Sequence, residues 1–320
     1  MKILVTPTSI KKDDDTPGLL RLRGFADELV FNPFGRPLTE DELIPLLQGC
    51  DGYIAGLDQI SEKVLSACPS LRVISRYGTG MDRVDLKAAA LHAIAVTNTP
   101  GANAQAVAEL AFGLILSLAR AIPRLHQSTK EGNWERHQGM ELGGKTIGIL
   151  GLGAIGKRLA KCCMGFGMAV VAYDPFIDRA FCEREGIQIE TMQGLLQKAD
   201  IISIHLPLND ETKNLINADT IGLLKDGALL INASRGGIVE EAAVFNALKT
   251  GKLGGLGLDA FETEPPSASP LLQLPNVVAT PHTGAHTKEA VLKMQEMAVD
   301  NLIAVLSGED CPYRIQAIGA

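Results

Sequence analysis

The chain has 320 residues, of which 46% are hydrophobic and only 4% aromatic, with 33 glycines and a formal net charge of −7. Its length exceeds that of one typical domain, so two domains are expected, and a composition rich in small and aliphatic residues is typical of α/β layers. The acidic balance and the lack of a long basic run make nucleic acid and an anionic membrane poor partners.

The cysteines and the apolar segments indicate a protein of a reducing compartment. The six cysteines are scattered without a CxxC pair or metal-ligand spacing, which predicts reduced thiols in a cytoplasm and no bound metal. The apolar start MKILVTP is too short for a signal peptide, and the most apolar helix, Ala108 to Ala119, is shorter than the roughly 20 residues of a membrane span. A soluble protein is therefore expected.

Residues 1–99 alternate short β-type runs with helix-period segments, a pattern typical of a parallel, doubly wound sheet. Thr39 and Glu42 form a predicted capping box, and Ser61 is a predicted cap. The predicted strands are Ile3–Thr6, Leu29–Asn32, Gly52–Ala55, Arg72–Ser75 and Ile94–Thr97, and the predicted helices are Glu40–Leu47, Glu62–Ala67 and Leu86–Leu91.

The fourth predicted strand runs directly into RYGTGMD, which contains Gly78, Thr79 and Gly80. Ligands of open α/β sheets bind beyond the carboxyl ends of strands, and glycines there expose backbone N–H groups to an anion. Arg76 would add a cation to a substrate site at this loop. The alternative is a purely structural turn with Arg76 as a surface charge.

Pro100 and Gly101 are expected to form an interdomain hinge before a long helix, capped by Asn103, that runs from Ala104 to about Ala121. An irregular segment holding Trp134 follows, and a second alternating pattern begins. The domains predicted are a substrate-binding domain of residues 1–99 plus 287–320 and a nucleotide-binding domain of residues 100–286. The second set of predicted strands is Thr146–Leu150, Ala169–Tyr173, Ile187–Ile189, Ile201–His205, Ala228–Asn232, Gly255–Leu258 and Val277–Ala279, and the last predicted helix is Thr287–Leu306.

The stretch from Lys145 to Asp174 combines a strand, the sequence GLGAIG, a helix, a second strand and an acid. In such a unit Gly151 permits the tight turn, Gly153 lets a pyrophosphate approach the backbone, and Gly156 lets the helix pack on the strand. Asp174 would bind the adenosine ribose. No arginine follows it to receive a 2′-phosphate, so NAD rather than NADP is predicted; the alternative is a tight turn without a ligand.

Reactive side chains follow three later strands. Arg235 lies in LLINASRGGIV, Glu264 follows Asp259 in GLDAFETEPP, and His282 lies in VVATPHTGAH. Each has a structural alternative, as a turn cap, a solvated acid or a core histidine. Together they match the reduction of a 2-keto acid: Arg235 binds the carboxylate, His282 supplies the proton, and Glu264 orients His282.

These motifs resemble the D-isomer-specific 2-hydroxyacid dehydrogenase family over about residues 70 to 315, and RYGTGMD most resembles its D-3-phosphoglycerate dehydrogenase branch. The resemblance implies two doubly wound parallel-sheet domains, Rossmann and flavodoxin-like, with the substrate domain discontinuous. It also implies a homodimer joined through the nucleotide-binding domains. The motifs that carry it are GLGAIG with Asp174, ASRGGIV, GLDAFETEPP, ATPHTGAHT and RYGTGMDRVDL.

The resemblance also assigns residues. Arg235, Glu264 and His282 match the catalytic Arg, Glu and His of the family. Thr79 and Gly80 match the loop whose backbone binds the substrate carboxylate. The other matched positions are Asp259 near the nicotinamide carboxamide, Ala154 and Ile155 at the pyrophosphate, and Leu206, Ala233 and Gly284 lining the cofactor.

Three features depart from the phosphoglycerate branch. Arg83 stands where Asn is common, and His286 stands where Ser or Thr is common. The sequence ends at Ala320, so the C-terminal regulatory domain of many relatives, and control by serine through it, are not expected. Arg76 and His286 would select an anionic group on the substrate, which several 2-keto acids carry.

The expected function is reversible oxidation of a D-2-hydroxy acid to its 2-keto acid with NAD, with D-3-phosphoglycerate as the first substrate. The alternative within the class is a glyoxylate or hydroxypyruvate reductase, which would prefer a phosphate-free substrate. The alternative from another class is an NAD(H)-sensing, corepressor-like interaction protein. The intact set of Arg235, Glu264 and His282 disfavours that alternative, and NADH oxidation at enzyme-like rates would exclude it.

Overall fold

A computed structural model describes residues 1–315. The chain divides into two compact units, one made of Met1–Asn103 together with the chain from His286 onward, the other of Ala104–Ala285. Each unit contains one sheet whose strands pair only in parallel, which confirms the predicted α/β class. The last five residues of the predicted substrate domain, 316–320, lie outside the described residues.

The sheet of the first unit has five parallel strands in the order β2-β1-β3-β4-β5. Chain growth outward from β1 in both directions makes it doubly wound, so helices cover both faces and the inner strands are apolar throughout. The strands are β1 (Lys2–Val5), β2 (Glu28–Phe31), β3 (Gly52–Ala55), β4 (Val73–Arg76) and β5 (Ala95–Thr97), and the helices are α1 (Pro17–Phe25), α2 (Glu40–Leu47), α3 (Glu62–Ser66) and α4 (Leu86–Leu91).

The sheet of the second unit has seven parallel strands in the order β12-β11-β10-β9-β6-β7-β8. Its strands are β6 (Thr146–Leu150), β7 (Ala169–Tyr173), β8 (Gln188–Ile189), β9 (Ile201–Ile204), β10 (Ala228–Asn232), β11 (Leu253–Leu258) and β12 (Val277–Ala279). Its helices are α5 (Ala104–Ala119), α6 (Ile122–Lys130), α7 (Ala154–Gly165), α8 (Arg179–Glu185), α9 (Met192–Lys198), α10 (Ala218–Gly222) and α11 (Glu241–Thr250).

The last helix, α12 (Lys288–Ser307), returns the chain to the first unit. It packs on β3 and β4, and the hydroxyl of Ser75 in β4 donates to the carbonyl of Ala298 at 2.8 Å. Ala298 and Leu302 of this helix are fully buried in the core beneath the sheet. The first unit therefore needs both ends of the chain to cover its sheet.

The apolar helix α5 is part of the core of the second unit, where it packs on α7, β10 and β11. Within residues 1–315, no single helix has both the length and the apolar character to cross a membrane, whereas α5 and α6 taken together, with a 63° bend between them, pass that test of length and composition. All six cysteines lie in this range and are free thiols.

Local differences from the predicted elements have identifiable causes. The capping box of Thr39 and Glu42 forms, but Ser61 makes no cap hydrogen bond; its hydroxyl donates to Glu40. The buried Oδ1 of Asn103 has no hydrogen-bond partner among residues 1–315, so the predicted cap of α5 is not formed. Helices α1 and α6 were not predicted, and neither were α8 to α11.

Candidate active site

The carboxyl ends of all seven strands of the second unit lie along one edge of its sheet, because every pairing is parallel. Ligands of open α/β sheets bind at this edge. Most of the residues predicted for chemistry and cofactor binding follow directly from those ends. They are Gly151 after β6, Asp174 after β7, Leu206 after β9, Ala233 and Arg235 after β10, Asp259 after β11 and His282 with Gly284 after β12.

The turn between β6 and α7 requires its glycines. Gly151 has φ +95°, and a Cβ there would lie 2.7 Å from the carbonyl of His205. A Cβ on Gly156 would lie 2.2 Å from the carbonyl oxygen of Gly151. The two glycines therefore let strand, turn and helix pack without side chains between them, as the spacing of the motif predicted.

The first turn of α7 is open toward an anion. Gly153 caps this helix, and a Cβ on Gly153 would meet nothing within 4 Å. The backbone N–H groups of Ala154, Ile155 and Gly156 donate to no group within the described part of the chain. These donors and the positive end of the helix form a cradle that fits a pyrophosphate.

The carboxylate of Asp174 is fixed at the end of β7. Its two oxygens accept backbone N–H groups from Leu152 in the glycine turn and from Phe176, each at 2.8 Å. A carboxylate offers about four acceptor positions, so about two remain for hydroxyl groups. Asp174 thus joins the turn to the neighbouring strand and stays capable of binding a ribose.

His205, at the end of β9, is a histidine of this edge that is unsuited to proton transfer. Burial lowers its pKa to about 4, so its ring is neutral near pH 7. Its Nε2 lies 2.9 Å from the hydroxyl of Ser203. His205 was not singled out in the sequence, although its place after an apolar strand carried the same signal as that of His282.

The turn that carries Arg235 is built by close backbone packing. Asn232 is fully buried, and its side chain donates to the carbonyl of Arg235 at 2.8 Å and accepts the N–H of Ser234 at 3.1 Å. A Cβ on Gly236 would lie 1.9 Å from the carbonyl carbon of Phe261, so only glycine fits there. This packing holds the turn of Arg235 against the loop that carries Glu264.

Glu264 and His282 are hydrogen-bonded to each other. Nδ1 of His282 lies 2.8 and 3.0 Å from the two carboxylate oxygens of Glu264. The backbone N–H of Phe261 also donates to Glu264, at 3.2 Å. Because Nδ1 faces a carboxylate, it carries a proton in either charge state of the ring, and Nε2 is left as the nitrogen that gains or loses one. Both side chains remain partly exposed, at 27% for His282 and 20% for Glu264.

Asp259 fixes the backbone on which His282 sits. Its side chain accepts the Thr280 hydroxyl at 2.6 Å and the N–H groups of Thr283 and Gly284 at 2.8 Å each, and the residue is 2% exposed. These bonds lie on both sides of His282, whose φ of +53° is unusual for a residue with a side chain. The two threonines were not identified from the sequence.

The loop of Gly78, Thr79 and Gly80 belongs to the first unit and follows β4. The carbonyl of Gly78 accepts the N–H of Thr99 at 3.1 Å, and that of Thr79 accepts the side-chain amide of Asn98 at 3.0 Å. The N–H groups of Thr79 and Gly80 donate to no group in residues 1–315. With its carbonyls bound and its N–H groups available, the loop can receive an anion.

Arg76 lies at the end of β4 and is buried. It is 2% exposed, and its guanidinium donates to the carbonyls of Ala55, Gly56 and Gly80. The alternative of a surface charge is therefore wrong, while a role of Arg76 in a substrate site stays a prediction.

Comparison with known proteins places this site in a family. Residues 112–284 match the family model described as D-isomer specific 2-hydroxyacid dehydrogenase, NAD binding domain. The chain is 39% identical to D-3-phosphoglycerate dehydrogenase of Methanocaldococcus jannaschii over 85% of its own length and 53% of the relative, so it spans about half the length of that protein.

Two further matches cover most of both chains. The chain is 41% identical to hydroxypyruvate reductase of Thermotoga maritima over 79% of its length and 84% of the relative. It also superposes on D-lactate dehydrogenase from Aquifex aeolicus, solved in complex with NAD and lactic acid, with a TM-score of 0.83, 30% identity and 96% coverage of each chain.

Proposed function

The chain belongs to the D-isomer specific 2-hydroxyacid dehydrogenase family, and we propose that it interconverts a D-2-hydroxy acid and its 2-keto acid with NAD. The observation that carries the proposal is the pair of His282 and Glu264, 2.8 Å apart, on the sheet edge that also holds Arg235 and the glycine turn. NAD, when bound, supplies or accepts the hydride.

His282 is the proposed proton donor in the direction of reduction. Glu264 accepts from Nδ1 and so orients the ring, and Nε2 gives its proton to the oxygen of the keto group. In the direction of oxidation the same nitrogen takes the hydroxyl proton. His205 is not proposed for this role: burial lowers its pKa to about 4, so near pH 7 it is not an imidazolium that could donate to the keto oxygen, and its Nε2 lies 2.9 Å from the hydroxyl of Ser203.

Arg235 is the proposed binding group for the substrate carboxylate. A guanidinium stays charged and can make two parallel hydrogen bonds to a carboxylate, which fixes the plane of the 2-keto acid. Thr79 and Gly80 are also proposed to bind the substrate carboxylate, through the N–H groups of a loop whose Gly78 and Thr79 carbonyls are already hydrogen-bonded within the first unit. Electrophilic assistance then comes from charged side chains.

NAD would be bound by hydrogen-bonding groups at the carboxyl edge of the second sheet that still have donor or acceptor capacity. The first turn of α7, with Ala154 and Ile155, would bind the pyrophosphate, and Asp174 would accept hydrogen bonds from the ribose. Asp259 already accepts three donors, so its proposed contact with the nicotinamide carboxamide uses its remaining acceptor capacity. Leu206, Ala233 and Gly284 are buried at the same sheet edge, and they are proposed to line the cofactor.

The substrate proposed for the first test is D-3-phosphoglycerate, since relatives of that name match at 39% identity and above. Hydroxypyruvate reductase is the second candidate. A relative of that name matches at 41% identity. We propose that the active form is a homodimer, for which the exposed Trp134 and Ile122 offer apolar surface.

A panel of 2-keto acids tests the proposal. We expect 3-phosphohydroxypyruvate, hydroxypyruvate, glyoxylate and pyruvate, each with NADH and with NADPH, to show turnover of at least one substrate and a preference for NADH. The preference follows from Asp174, whose carboxylate would repel a 2′-phosphate. Binding of NADH without oxidation of it by any member would favour a sensing protein, and a preference for NADPH would contradict the role given to Asp174.

A further inference from the structure

Arg76 is buried, at 2% exposure, and its guanidinium donates to backbone carbonyls. Its Nη1 donates to the carbonyl of Ala55 at 2.9 Å and also to that of Gly56, and its Nε donates to the carbonyl of Gly80 at 3.1 Å. The first two carbonyls are at the end of β3, and the third is in the anion-binding loop. One planar guanidinium thus joins the loop to a neighbouring strand of the same sheet.

The strand end to which Arg76 is attached is itself fixed by buried polar groups. The carboxylate of Asp58, 1% exposed, accepts the hydroxyls of Tyr53, at 2.7 Å, and Thr6, and the N–H of Leu38 at 2.6 Å. The hydroxyl of Thr6 in turn accepts the N–H of Gly56 at 2.9 Å. The carbonyls that hold Arg76 are therefore part of a satisfied, buried network, which is rigid for that reason.

The bound carbonyls of the loop orient its peptide groups. A peptide group whose carbonyl is bound on one side directs its N–H, which belongs to the next residue, to the other side, as an anion-binding loop requires. The carbonyl of Thr79 is bound by Asn98, which directs the N–H of Gly80, and the carbonyl of Gly80 is bound by Arg76, which directs the N–H of Met81. The N–H groups of Gly80 and Met81 donate to no group in residues 1–315.

We infer that Arg76 is a positioning residue for the substrate carboxylate: its guanidinium holds the Gly80 carbonyl and so fixes the Gly80–Met81 peptide group, at the end of the loop whose N–H groups face the ligand. This inference rests on the proposed function, which gives the loop its ligand. The proposed role concerns the 2-keto carboxylate that all candidate substrates share, and not a second anionic group such as a phosphate.

Arg76→Lys and Arg76→Gln, compared with wild type, test the inference with two substrates that differ only by a phosphate, 3-phosphohydroxypyruvate and hydroxypyruvate. We expect KM to rise at least about tenfold, and by the same factor for both, while the affinity for NADH is unchanged, because hydrogen bonds from a charged group are lost. Lysine should retain part of the function. Arg21→Gln is the matched control, since Arg21 donates to Asp300 with two bonds on an exposed surface.

An increase in KM confined to the phosphorylated substrate would overturn the inference, because it would mean that Arg76 binds the phosphate directly; unchanged KM for both would also overturn it. Asn98→Ala keeps the test possible if the Arg76 variants do not fold. This substitution removes the hydrogen bond to the Thr79 carbonyl, and Asn98 is less buried than Arg76. An equal increase in KM for both substrates is again expected.

Amide hydrogen exchange tests the inference independently of activity. The N–H of Gly78 donates to the hydroxyl of Thr99 at 3.0 Å, and the N–H of Thr99 donates to the carbonyl of Gly78. Exchange at both amides should be faster in Arg76→Lys than in Arg21→Gln. If wild type reduces none of the panel, the proposed function fails, while unchanged exchange in Arg76→Lys is a failure of the positioning role alone.

Discussion

His282 is held in a backbone conformation that costs a residue with a side chain about 1–3 kcal/mol. Asp259 compensates with hydrogen bonds on either side of it, to Thr280, Thr283 and Gly284. The strain is thus located at the residue with the proposed chemical role, where the direction of the imidazole ring decides whether Nε2 meets a substrate oxygen. Asp259 thus fixes the backbone at His282, and Glu264 fixes the orientation of its ring.

His282→Ala should lower kcat at least about a hundredfold while NADH still binds, because a positioned acid or base contributes about that much or more. Steady-state kinetics and NADH fluorescence titration measure the two quantities. His92→Ala is the control, since His92 lies on the surface of α4 beside Glu62. Turnover near the wild-type rate in His282→Ala would remove His282 from the mechanism.

The unit of β6, its turn and α7 acts as one element for the cofactor. Gly156 packs so closely on the Gly151 carbonyl that any side chain must displace the helix from the strand. The same displacement would move the N–H groups of Ala154 and Ile155 away from the pyrophosphate. Helix α7 also contains Gly165, around which a Cβ would meet nothing within 4 Å, so the two positions differ in packing and not in residue type.

Gly156→Ala should weaken NADH binding at least about tenfold and lower Tm, since overpacking of this kind costs about 1–3 kcal/mol. Gly165→Ala, in the same helix, should leave NADH binding unchanged and raise stability by about 0.5–1 kcal/mol, because alanine is the better helix former. Titration of NADH fluorescence and thermal unfolding measure both variants. Equal effects from the two would show that the close packing at Gly156 is unimportant for the cofactor.

The whole molecule is two parallel-sheet units, each with its own core, and each holding part of the proposed chemistry. The second unit carries the glycine turn with Arg235, Glu264 and His282, and the first carries the loop of Gly78, Thr79 and Gly80 that is proposed to bind an anion. Comparison with relatives confirms the resemblance to the D-3-phosphoglycerate dehydrogenase branch seen in the motifs. Apolar surface remains outside both cores at Trp134, 84% exposed, and Ile122, 51% exposed.

The proposed homodimer predicts a sedimenting species of twice the 34.0 kDa of one chain. Trp134→Ser should shift that species toward the monomer at low concentration, because an exposed tryptophan in an interface contributes strongly to association. Phe176→Ser is a control that removes an aromatic side chain exposed to a similar degree, at 93%. A wild-type protein that sediments as a monomer would contradict the proposal.

The sequence by itself determined the sheet class and most strand positions, because apolar strands and glycine turns are local patterns that can be recognised in the sequence. The roles of Arg235, Glu264 and His282 stay predictions from the same motifs. The tertiary structure decided what the buried polar groups do. Arg76 and Asp259 can be read from the sequence, but their partners cannot. Only the packing of neighbouring strand ends shows that Arg76 holds the Gly80 carbonyl and that Asp259 holds the backbone around His282. Such hydrogen bonds join residues far apart in the chain, and sequence spacing carries no record of them.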